Sequence, residues 1–538
     1  MAALLLRAVL IVKKVCKPFL TSGHLNLKEI KQMSELTISN VLEIAEPAPY
    51  VGKHLINGEW VSGSETFERV SPSHGLVVSI SAKGTVSETE QAVAAARSAF
   101  ESGSWSGLSG KQRATFLLKI ADLIDANVES IAVQETLESG KPIAQSRGEV
   151  GGASDLWRYA ASLARTGHGD SHNSLGEDML GVVVKEPVGV VSIITPWNFP
   201  FWILSQKLPF ALAAGCTVIV KPSEMTPSST VMLGELLLEA GLPAGVCNIV
   251  LGHGQPVGCL MAEHKEVDMV SFTGSTAVGK LITQACSNTL KKVALELGGK
   301  NPQVIFPDAD LESAADAVAF GVYFNVGQCC NSSSRIIVHE DIADTFIQRV
   351  IELSKQVKFG DPMNPDTQVG AIVTDEHNTK IHEYVQTAIK AGAKLELGGE
   401  RLSIDGLGNQ FYQPTVLSGV TPDMDIAREE VFGPVLSVLT FRTLNQAITM
   451  VNDSEFGLSA GVWSENVHTC IEFSRKVEAG TVWTNTWMDG YPELAFGGVK
   501  QSGQGREIGR YGYEEFLEVK SILMRIGRSR TPWVQQRV

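Results

Sequence analysis

The chain has 538 residues, more than one hydrophobic core usually supports, so two or three structural units are expected. Hydrophobic residues make up 44% and charged residues 19% of the sequence, which excludes a largely disordered protein. The net charge of −14 opposes binding to nucleic acid or anionic lipid. After the first turns of the chain, no apolar run reaches the roughly 18 residues that a membrane-spanning helix needs. Neither nucleic acid nor a membrane is therefore expected as a partner.

The first 35 residues are predicted to be a leader or a disordered extension. Arg7, Lys13 and Lys17 lie among apolar residues, and no acidic residue precedes Glu29. This composition is typical of a mitochondrial presequence. A secretory signal is disfavoured by Arg7 inside the apolar run, and a non-functional extension ahead of Met33 is a further alternative. We expect a mitochondrial protein, with the cytoplasm as the alternative.

The ordered part is predicted to begin with a hairpin and two helices. The segment 55–60 has the pattern of strands joined by an Asn57-Gly58 turn. Ser87 followed by Glu90 predicts a capping box at the start of a helix that ends near Phe100.

From Gly189 the pattern changes to short apolar runs separated by helical stretches. Strands buried on both faces have this pattern, and the strand-helix-strand order predicts a parallel sheet of the nucleotide-binding type. A second alternating region at about 301–501 predicts another α/β unit, and residues 514–524 resemble an edge strand donated to a partner subunit. The predicted buried strands are Val190 to Ile194, Thr217 to Val220, Asn248 to Leu251, Met269 to Phe272 and Val293 to Leu295.

Two adjacent thiols, Cys329 and Cys330, follow a glycine-containing turn. Eight cysteines are too few for a disulfide framework in a chain of this length, which favours a reducing compartment. A thiolate is the strongest ordinary side-chain nucleophile near neutral pH. Taken alone, however, the pair is more simply explained as small buried hydrophobic residues, so a nucleophile needs partners.

Glu296 and Asn198 are the candidate partners. Glu296 stands between apolar residues at the end of a predicted strand, where desolvation would raise its pKa and make it a usable base. A capping or salt-bridged glutamate is the alternative. Asn198 is held between prolines in the loop after a buried strand, where its amide can donate to an oxyanion or merely organise the turn.

Two loops follow predicted strands at the edge where dinucleotides bind. The segment from Lys221 to Glu224 offers an ammonium and a carboxylate to ribose hydroxyls. The carboxylate favours NAD+ over NADP+, because it accepts from a free 2′-hydroxyl and repels a 2′-phosphate. A solvated ion pair in a loop is the alternative. Phe272 to Lys280 opens a helix whose first amides could meet a pyrophosphate. An ATP-binding P-loop is disfavoured because Leu281 stands where Ser or Thr would hold Mg2+, and the loop lacks the G-x-G-x-x-G spacing of Rossmann dehydrogenases.

Together these motifs closely resemble, in the same order, the motif set of the aldehyde dehydrogenase superfamily over roughly Leu55 to Met524. The motifs that carry the resemblance are Pro196-Trp197-Asn198-Phe199-Pro200, Lys221-Pro222-Ser223-Glu224, Phe272-Thr273-Gly274-Ser275, Leu295-Glu296-Leu297-Gly298-Gly299, Gly327-Gln328-Cys329-Cys330, Glu430-Val431-Phe432-Gly433-Pro434 and Phe496-Gly497-Gly498.

The resemblance implies a role for each motif. It selects Cys330 over Cys329 as the nucleophile, Glu296 as the general base and Asn198 as the oxyanion donor, without a metal. Cys330 would form a thioester during NAD+-dependent oxidation of an aldehyde to an acid. The residues implied for the cofactor are Trp197, Lys221, Ser223, Glu224, Gly274, Ser275, Gly279, Leu297, Glu430 and Phe432.

The resemblance also implies an α/β fold in three parts. A parallel-sheet NAD-binding domain would comprise residues 50–168 and 188–298, an α/β catalytic domain residues 299–505, and a small oligomerisation sheet residues 169–187 and 514–526. Homodimers or homotetramers are expected.

Two other reaction classes compete with hydrolysis of the thioester. The first is transfer of the acyl group to coenzyme A, which would need no base for water, so the presence of Glu296 argues against it. The second is a non-catalytic protein, which would not require Cys330, Glu296 and Asn198 together.

The substrate is less constrained by the sequence. Trp202 and Trp487 resemble pocket-lining positions, Asp489 is nearby, and Gly490 replaces a bulky aromatic residue common in relatives that act on simple aldehydes. Aromatic faces beside a carboxylate would suit a cationic aldehyde such as a betaine or amino aldehyde.

Overall fold

The computed structural model describes residues 48–527 together with Val534. The leader predicted at residues 1–35 lies outside this range, so its interpretation stays a prediction. Among the residues described, none of the helices is both long enough and apolar enough to cross a membrane.

Strands and helices alternate along the described chain. The strands are β1 (Tyr50–Gly52), β2 (His54–Ile56), β3 (Glu59–Val61), β4 (Glu65–Val70), β5 (Val77–Lys83), β6 (Asp170–His172), β7 (Met179–Pro187), β8 (Val190–Ile194), β9 (Thr217–Lys221), β10 (Cys247–Ile249), β11 (Met269–Thr273), β12 (Lys292–Glu296), β13 (Pro302–Ile305), β14 (Arg335–His339), β15 (Lys394–Leu397), β16 (Arg401–Leu402), β17 (Phe411–Tyr412), β18 (Thr415–Ser418), β19 (Val435–Phe441), β20 (Phe456–Gly457), β21 (Ser459–Trp463), β22 (Thr481–Thr484), β23 (Val499–Lys500), β24 (Gly503–Gln504) and β25 (Leu517–Arg525). The α-helices are α1 (Val86–Glu101), α2 (Gly110–Ser139), α3 (Ile143–Thr166), α4 (Pro200–Ala214), α5 (Ser228–Ala240), α6 (Cys259–Glu263), α7 (Thr276–Ser287), α8 (Leu311–Tyr323), α9 (Ala343–Ser354), α10 (Asp375–Lys390), α11 (Asp425–Arg428), α12 (Leu444–Asn452), α13 (Val467–Lys476) and α14 (Gly509–Glu515).

The larger sheet has eight strands in the order β24-β12-β11-β8-β9-β10-β2-β3. Its central strands β12, β11, β8, β9 and β10 run parallel, and β24 and the β2–β3 hairpin add antiparallel edges. Strands β8 and β9 are buried at every residue, which explains their uninterrupted apolar sequence. The parallel sheet predicted for this region is confirmed, and each predicted strand lies within two residues of the observed one.

A second sheet of seven strands has the order β15-β18-β19-β14-β13-β21-β22. All of its strands except β15 run parallel, and its core forms around side chains from the strands and from α8, α9, α10 and α12. The two parallel sheets with their helices confirm the predicted α/β fold class.

A small antiparallel sheet joins β25 to β7 and β6. The pairing of β25 with β7 runs without a break from Leu517 opposite Pro187 to Arg525 opposite Met179. Strand β25 forms an edge of this sheet, and its side chains beyond Leu517 are exposed although several are apolar.

Local signals near the start of the described chain are partly confirmed. Asn57 (φ 53°) and Gly58 (φ 80°) both adopt the left-handed conformation that a tight hairpin turn needs. The predicted cap of α1 is wrong by two residues, because Thr85, not Ser87, is the N-cap and forms the capping box with Glu88. Both serine and threonine satisfy the capping pattern, and in the structure it is the Thr85 N–H that donates to a glutamate, Glu88.

Candidate active site

The two parallel sheets meet at complementary edges. Strands β12, β11, β8 and β9 are neighbours, so the residues that follow them lie together at one carboxyl edge. The predicted motifs containing Asn198, Glu224, Ser275 and Leu297 therefore share this edge. In the second sheet, β14 and β19 are parallel neighbours, so the segments that precede them, with Cys330 and with Glu430 and Phe432, also lie together.

The turn that precedes the cysteines has an unusual backbone. Asn325, Val326 and Gly327 have φ values of 47°, 53° and 74°. A β-branched residue rarely adopts a positive φ, and such conformations persist only where the surroundings impose them. Here the Asn325 side chain donates to the carbonyls of Asn198, at 3.0 Å, and of Gln328, at 3.1 Å. The turn is thus tied to the loop of the first sheet.

Cys330 lies at the junction of the two sheets. Its carbonyl accepts a hydrogen bond of 2.8 Å from Asn301, which fixes the backbone at the nucleophile. A hydrogen bond with Cys329, and then burial, raise the pKa of Cys330 well above its ordinary value, whereas the Asn331 N–H lowers it. Cys329 instead donates to the Asn331 side chain, at 2.7 Å, and packs with apolar residues. The thiol of Cys330 must therefore lose its proton before the sulfur can attack.

Asn198 lies against the nucleophile loop. Its Nδ2 donates to the Gln328 carbonyl at 3.1 Å, and the residue is buried. The amide nitrogen has two N–H groups, and this bond uses one of them. The second is free to donate to an oxyanion near Cys330.

Glu296 is a buried carboxylate without a partner. Neither of its oxygens has a hydrogen-bond partner, and a Cβ on Gly497 would come within 2.5 Å of Oε1. Burial raises the pKa of Glu296 well above its ordinary value, as do the charges of Glu507 and Cys330, while Lys207 opposes this shift. A carboxylate in this state can take a proton near neutral pH.

Lys207 and Glu507 form a buried ion pair close to Glu296 that the sequence reasoning missed. Lys207 Nζ bonds to a Glu507 oxygen and, at 3.0 Å, to Ser271 Oγ. Both side chains are almost completely buried. A signal existed, since Lys207 is the only charged residue of the apolar helix α4.

Lys221, Ser223 and Glu224 follow β9 directly. Lys221 is buried, and its Nζ lies 2.9 Å from the Pro222 carbonyl and 3.5 Å from a Glu224 oxygen. Burial lowers the pKa of Lys221, and Glu224 opposes that effect. Ser223 accepts from the Met225 N–H and shapes the turn.

The loop before α7 combines a tight backbone with free amides. Ser275 caps the helix by accepting from the Val278 N–H. The Gly274 N–H donates to the Glu296 carbonyl at 3.0 Å, so the free donors belong to the first turn of α7. A Cβ on Gly279 would come within 2.7 Å of Leu297, so only glycine allows this helix to lie against that side chain.

Glu430 bonds to Gly299, the second of the two glycines that follow Leu297. Its Oε1 accepts from the Gly299 N–H at 3.0 Å, and a Cβ on Gly298 would come within 2.2 Å of its other oxygen. Burial raises the pKa of Glu430 to about 7, against the effects of the Gly299 hydrogen bond and of Lys300.

Trp197 and His377 line a cavity of about 580 Å³, and the Phe432 ring packs against both of them. Phe432 has φ 59°, and its carbonyl accepts a 2.8 Å bond from His377 Nε2. The rings of Trp197 and Phe432 meet edge to face, with centroids 5.5 Å apart. His377 was not anticipated from the sequence, because a lone histidine early in a helix gives no signal.

The apolar side of the site differs from the sequence-based expectation. Trp202 is half-buried beside Phe199 and Cys329, as a pocket residue would be. Trp487, however, is 5% exposed and wedged against Gly321 and Gly461, where a Cβ would come within 2.5 and 2.8 Å of its ring. Trp487 therefore packs against the backbone at Gly321 and Gly461 and exposes little of its ring.

Asp489 and Gly490 are both exposed. The Asp489 carboxylate accepts from the Thr486 hydroxyl, and the Asp489 carbonyl accepts from the Trp483 indole. Nothing lies within 4 Å of the position that a Cβ on Gly490 would take, so this stretch is open.

The donor set fits a dinucleotide. Three groups of polar atoms occur in order along the joined edges. They are a carboxylate and an ammonium at the end of β9, unpaired amides at the start of α7, and a second carboxylate, Glu430. Val278 and Leu281 expose apolar surface on α7, which could cover a flat base. Across the residues that the structure describes, no group of three or more His, Cys, Asp or Glu is arranged to hold a metal ion.

The chain is similar to known proteins over most of its length. A family model described as aldehyde dehydrogenase family matches residues 60–522. The betaine aldehyde dehydrogenase of Bacillus subtilis (strain 168) is 41% identical over 470 residues, which are 87% of this chain and 96% of that protein.

Solved structures agree with this assignment. The crystal structure of an NAD-dependent aldehyde dehydrogenase from Sinorhizobium meliloti is 50% identical, with a TM-score of 0.88 over 90% of this chain and 96% of that chain. A betaine aldehyde dehydrogenase from Staphylococcus aureus in complex with NAD+ is 41% identical, with a TM-score of 0.87 over 89% of this chain and 96% of that chain.

Proposed function

The chain belongs to the aldehyde dehydrogenase family, and on this premise we propose that it oxidises an aldehyde to the carboxylic acid with NAD+ through a thioester on Cys330. The observation that carries the proposal is the convergence of three side chains at the sheet junction. Cys330 follows the turn tied to the Asn198 loop, Asn198 keeps one N–H free, and Glu296 lies close enough for Cys330 to raise its pKa.

The first half of the reaction forms the thioester. Cys330 loses its thiol proton to solvent water, and the thiolate attacks the aldehyde carbon. Asn198 Nδ2 and the Cys330 N–H donate to the oxyanion that forms on the former carbonyl oxygen. When bound, NAD+ supplies the acceptor for the hydride that leaves this carbon. Collapse of the oxyanion then leaves the acyl group on Cys330.

The second half hydrolyses the thioester. Glu296 takes a proton from water, the resulting hydroxide attacks the acyl carbon, and Cys330 leaves as the thiolate. Desolvation makes this step possible, since an ordinary carboxylate would be too weak a base at neutral pH. Lys207 and Glu507 lie behind Glu296 and determine part of its pKa.

The preference for NAD+ over NADP+ rests on Glu224. In the proposed pose its carboxylate accepts from a free 2′-hydroxyl and repels a 2′-phosphate. Lys221, Ser223 and the first turn of α7, with Gly274, Ser275, Gly279 and Leu297, would hold the adenosine side of the coenzyme. Trp197, Glu430 and Phe432 would hold the nicotinamide side. The NAD+ bound to the related S. aureus enzyme supports this choice.

The proposed substrate class is a cationic aldehyde of the betaine or amino type. The support is the half-buried ring of Trp202, the exposed Asp489 carboxylate and the similarity to betaine aldehyde dehydrogenases. Trp487 does not contribute, because its ring is enclosed. If an uncharged aldehyde of equal length has the same kcat/KM, the proposed substrate class is wrong.

We also propose that the protein assembles as a homodimer or homotetramer in mitochondria. The exposed apolar residues of β25 support the assembly, and the basic, acid-free segment before Glu29 supports the location. The N-terminal sequence of the mature protein from cells tests the location: cleavage within the first 35 residues is expected, and an intact Met1 in the cytosolic fraction would contradict it.

The reaction is tested by following NADH formation with a panel of aldehydes. Sustained turnover with NAD+ and aldehyde alone is expected, with Cys330→Ala as the blank. A strict requirement for coenzyme A would instead assign the acyl-transferring reaction, and the absence of any NADH would assign a non-catalytic role.

A further inference from the structure

A buried ion cluster lies directly behind the loop that carries Asn198. Lys141, in the connection between α2 and α3, is held by Glu135 of α2 and Glu149 of α3. Its Nζ lies 3.1 Å from Glu135 Oε1 and 2.7 and 2.6 Å from the two oxygens of Glu149. The side chains of Lys141 and Glu135 are completely buried and that of Glu149 is 8% exposed. Buried ion pairs are a poor source of stability, so this cluster needs another explanation.

The cluster holds the residue that follows Asn198. Lys141 Nζ lies 4.5 Å from the centroid of the Phe199 ring, within the range of a cation–π contact. Phe199 also stacks on Phe324, at 5.9 Å and 17°, and Phe324 begins the turn before Cys330. The ring is therefore held by contacts both with Lys141 and with the nucleophile segment.

The cluster also caps the helix that starts after Asn198. Phe199 is the N-cap of α4 and has no side-chain capping bond, and Pro200 has no N–H to satisfy. The next amide, at Phe201, donates to Glu135 Oε2 at 3.3 Å. A carboxylate from another helix thus does what a Ser or Asp cap would do and also complements the helix dipole.

The charges of the cluster support these contacts. Burial lowers the pKa of Lys141, but the two carboxylates outweigh it and hold this pKa above its ordinary value. Burial raises the pKa of Glu149 well above its ordinary value, and Lys141 opposes that shift. Lys141 consequently stays a cation, as its contact with the Phe199 ring requires.

We propose that Lys141, held by Glu135 and Glu149, is a positioning residue that fixes Phe199 and the start of α4, and thereby the direction in which Asn198 donates to the oxyanion. The inference rests on the proposed role of Asn198. It assigns Lys141 no contact with substrate or coenzyme. Its loss should slow thioester formation and leave NAD+ binding unchanged.

The test is a double-mutant cycle on the burst of NADH measured in a stopped-flow instrument. Loss of an oxyanion donor slows a reaction by about 10²- to 10³-fold. We expect Lys141→Met to slow the burst by about 10- to 100-fold, because a displacement on the order of 1 Å has effects of this size. In the Asn198→Ala background, Lys141→Met should change the burst by less than about twofold, since no donor remains to be positioned. The Kd for NAD+ should stay within about twofold throughout.

A matched control uses another ion pair between the same two helices. Arg147 of α3 pairs with Glu129 of α2 at 2.8 Å but lies at the surface. Arg147→Met should leave the burst unchanged. Glu149→Gln weakens the hydrogen bonds to Lys141 but keeps the cation. It should slow the burst by about threefold in the otherwise wild-type protein and not at all in the Asn198→Ala background. This variant tests the positioning role if Lys141→Met does not fold.

The results separate the possible failures. The positioning role alone is overturned if Lys141→Met slows the NADH burst equally in the wild-type and Asn198→Ala backgrounds, or does not slow it in the wild-type background. A wild-type burst in Asn198→Ala overturns the proposed function of Asn198 and the positioning role with it.

Discussion

Cys329 and Cys330 are adjacent in sequence but have different surroundings. Cys330 lies at the junction with its carbonyl held by Asn301, whereas Cys329 packs with Phe199 and Ile203. The sequence could identify the pair and, through the resemblance, choose between them. It could not reveal the three left-handed residues before them, because only tertiary contacts hold Val326 at φ 53°.

The two thiols should therefore respond differently to removal. Cys330→Ala should lower kcat by at least about 10⁴-fold and abolish the NADH burst, because the nucleophile is gone. Cys329→Ala should keep the burst and cost only about 1 kcal/mol of stability for the small cavity it leaves. Steady-state and stopped-flow assays of both variants check this; the opposite pattern would assign the nucleophile to Cys329.

Glu430 should make NAD+ binding depend on pH. Its pKa of about 7 lies above that of a free glutamate, so the carboxylate becomes protonated as the pH falls through 7 and loses its charge as an acceptor for ribose hydroxyls. The KM for NAD+ should rise about tenfold from pH 8 to pH 6. Glu430→Gln should have a high KM for NAD+ at every pH. If this variant instead keeps the pH dependence of the wild-type KM, another group, such as Lys300, is responsible.

At the scale of elements, sequence patterns predicted the buried strands well and the helix ends less well. The runs at β8 and β9 were unambiguous because every residue is buried. The start of α1 was misplaced because Thr85 and Ser87 both precede a glutamate at the right spacing. The sheet junction and the partner of Lys207 could not be predicted, because Lys207 and Glu507 are far apart in the chain. Lys141 pairs with nearby residues, but its contact with Phe199 depends on the tertiary structure.

The cap of α1 gives a prediction for stability. Thr85→Ala should lower the free energy of unfolding by about 1 kcal/mol, because it removes the side-chain acceptor of the first turn. Ser87→Ala, which loses only an exposed bond from Gln91, should change it by less than about 0.5 kcal/mol. Urea denaturation midpoints of both variants test the assignment, and a larger effect at Ser87 would restore the capping box predicted from the sequence.

At the scale of the whole molecule, the small sheet is predicted to join subunits. Val519, Ile522 and Leu523 are exposed on β25, which is an edge strand with one side unpaired in a single chain. An unprotected apolar edge would promote aggregation unless a partner covers it. Leu523→Arg should shift the assembly towards the 57.9 kDa monomer in sedimentation velocity, and Lys520→Ala, on the same strand, should not. A wild-type protein that sediments as a monomer would contradict the assembly.

During turnover an acyl group is expected to reside on Cys330. Glu296→Gln keeps the shape of the site but removes the base for water, so the thioester should accumulate. Mass spectrometry of peptides from this variant, quenched in acid after mixing with NAD+ and aldehyde, measures it directly. We expect about one acyl group per chain, on Cys330, and none when Cys330→Ala is added. An adduct on Cys329, or no adduct despite a full burst of NADH, would contradict it.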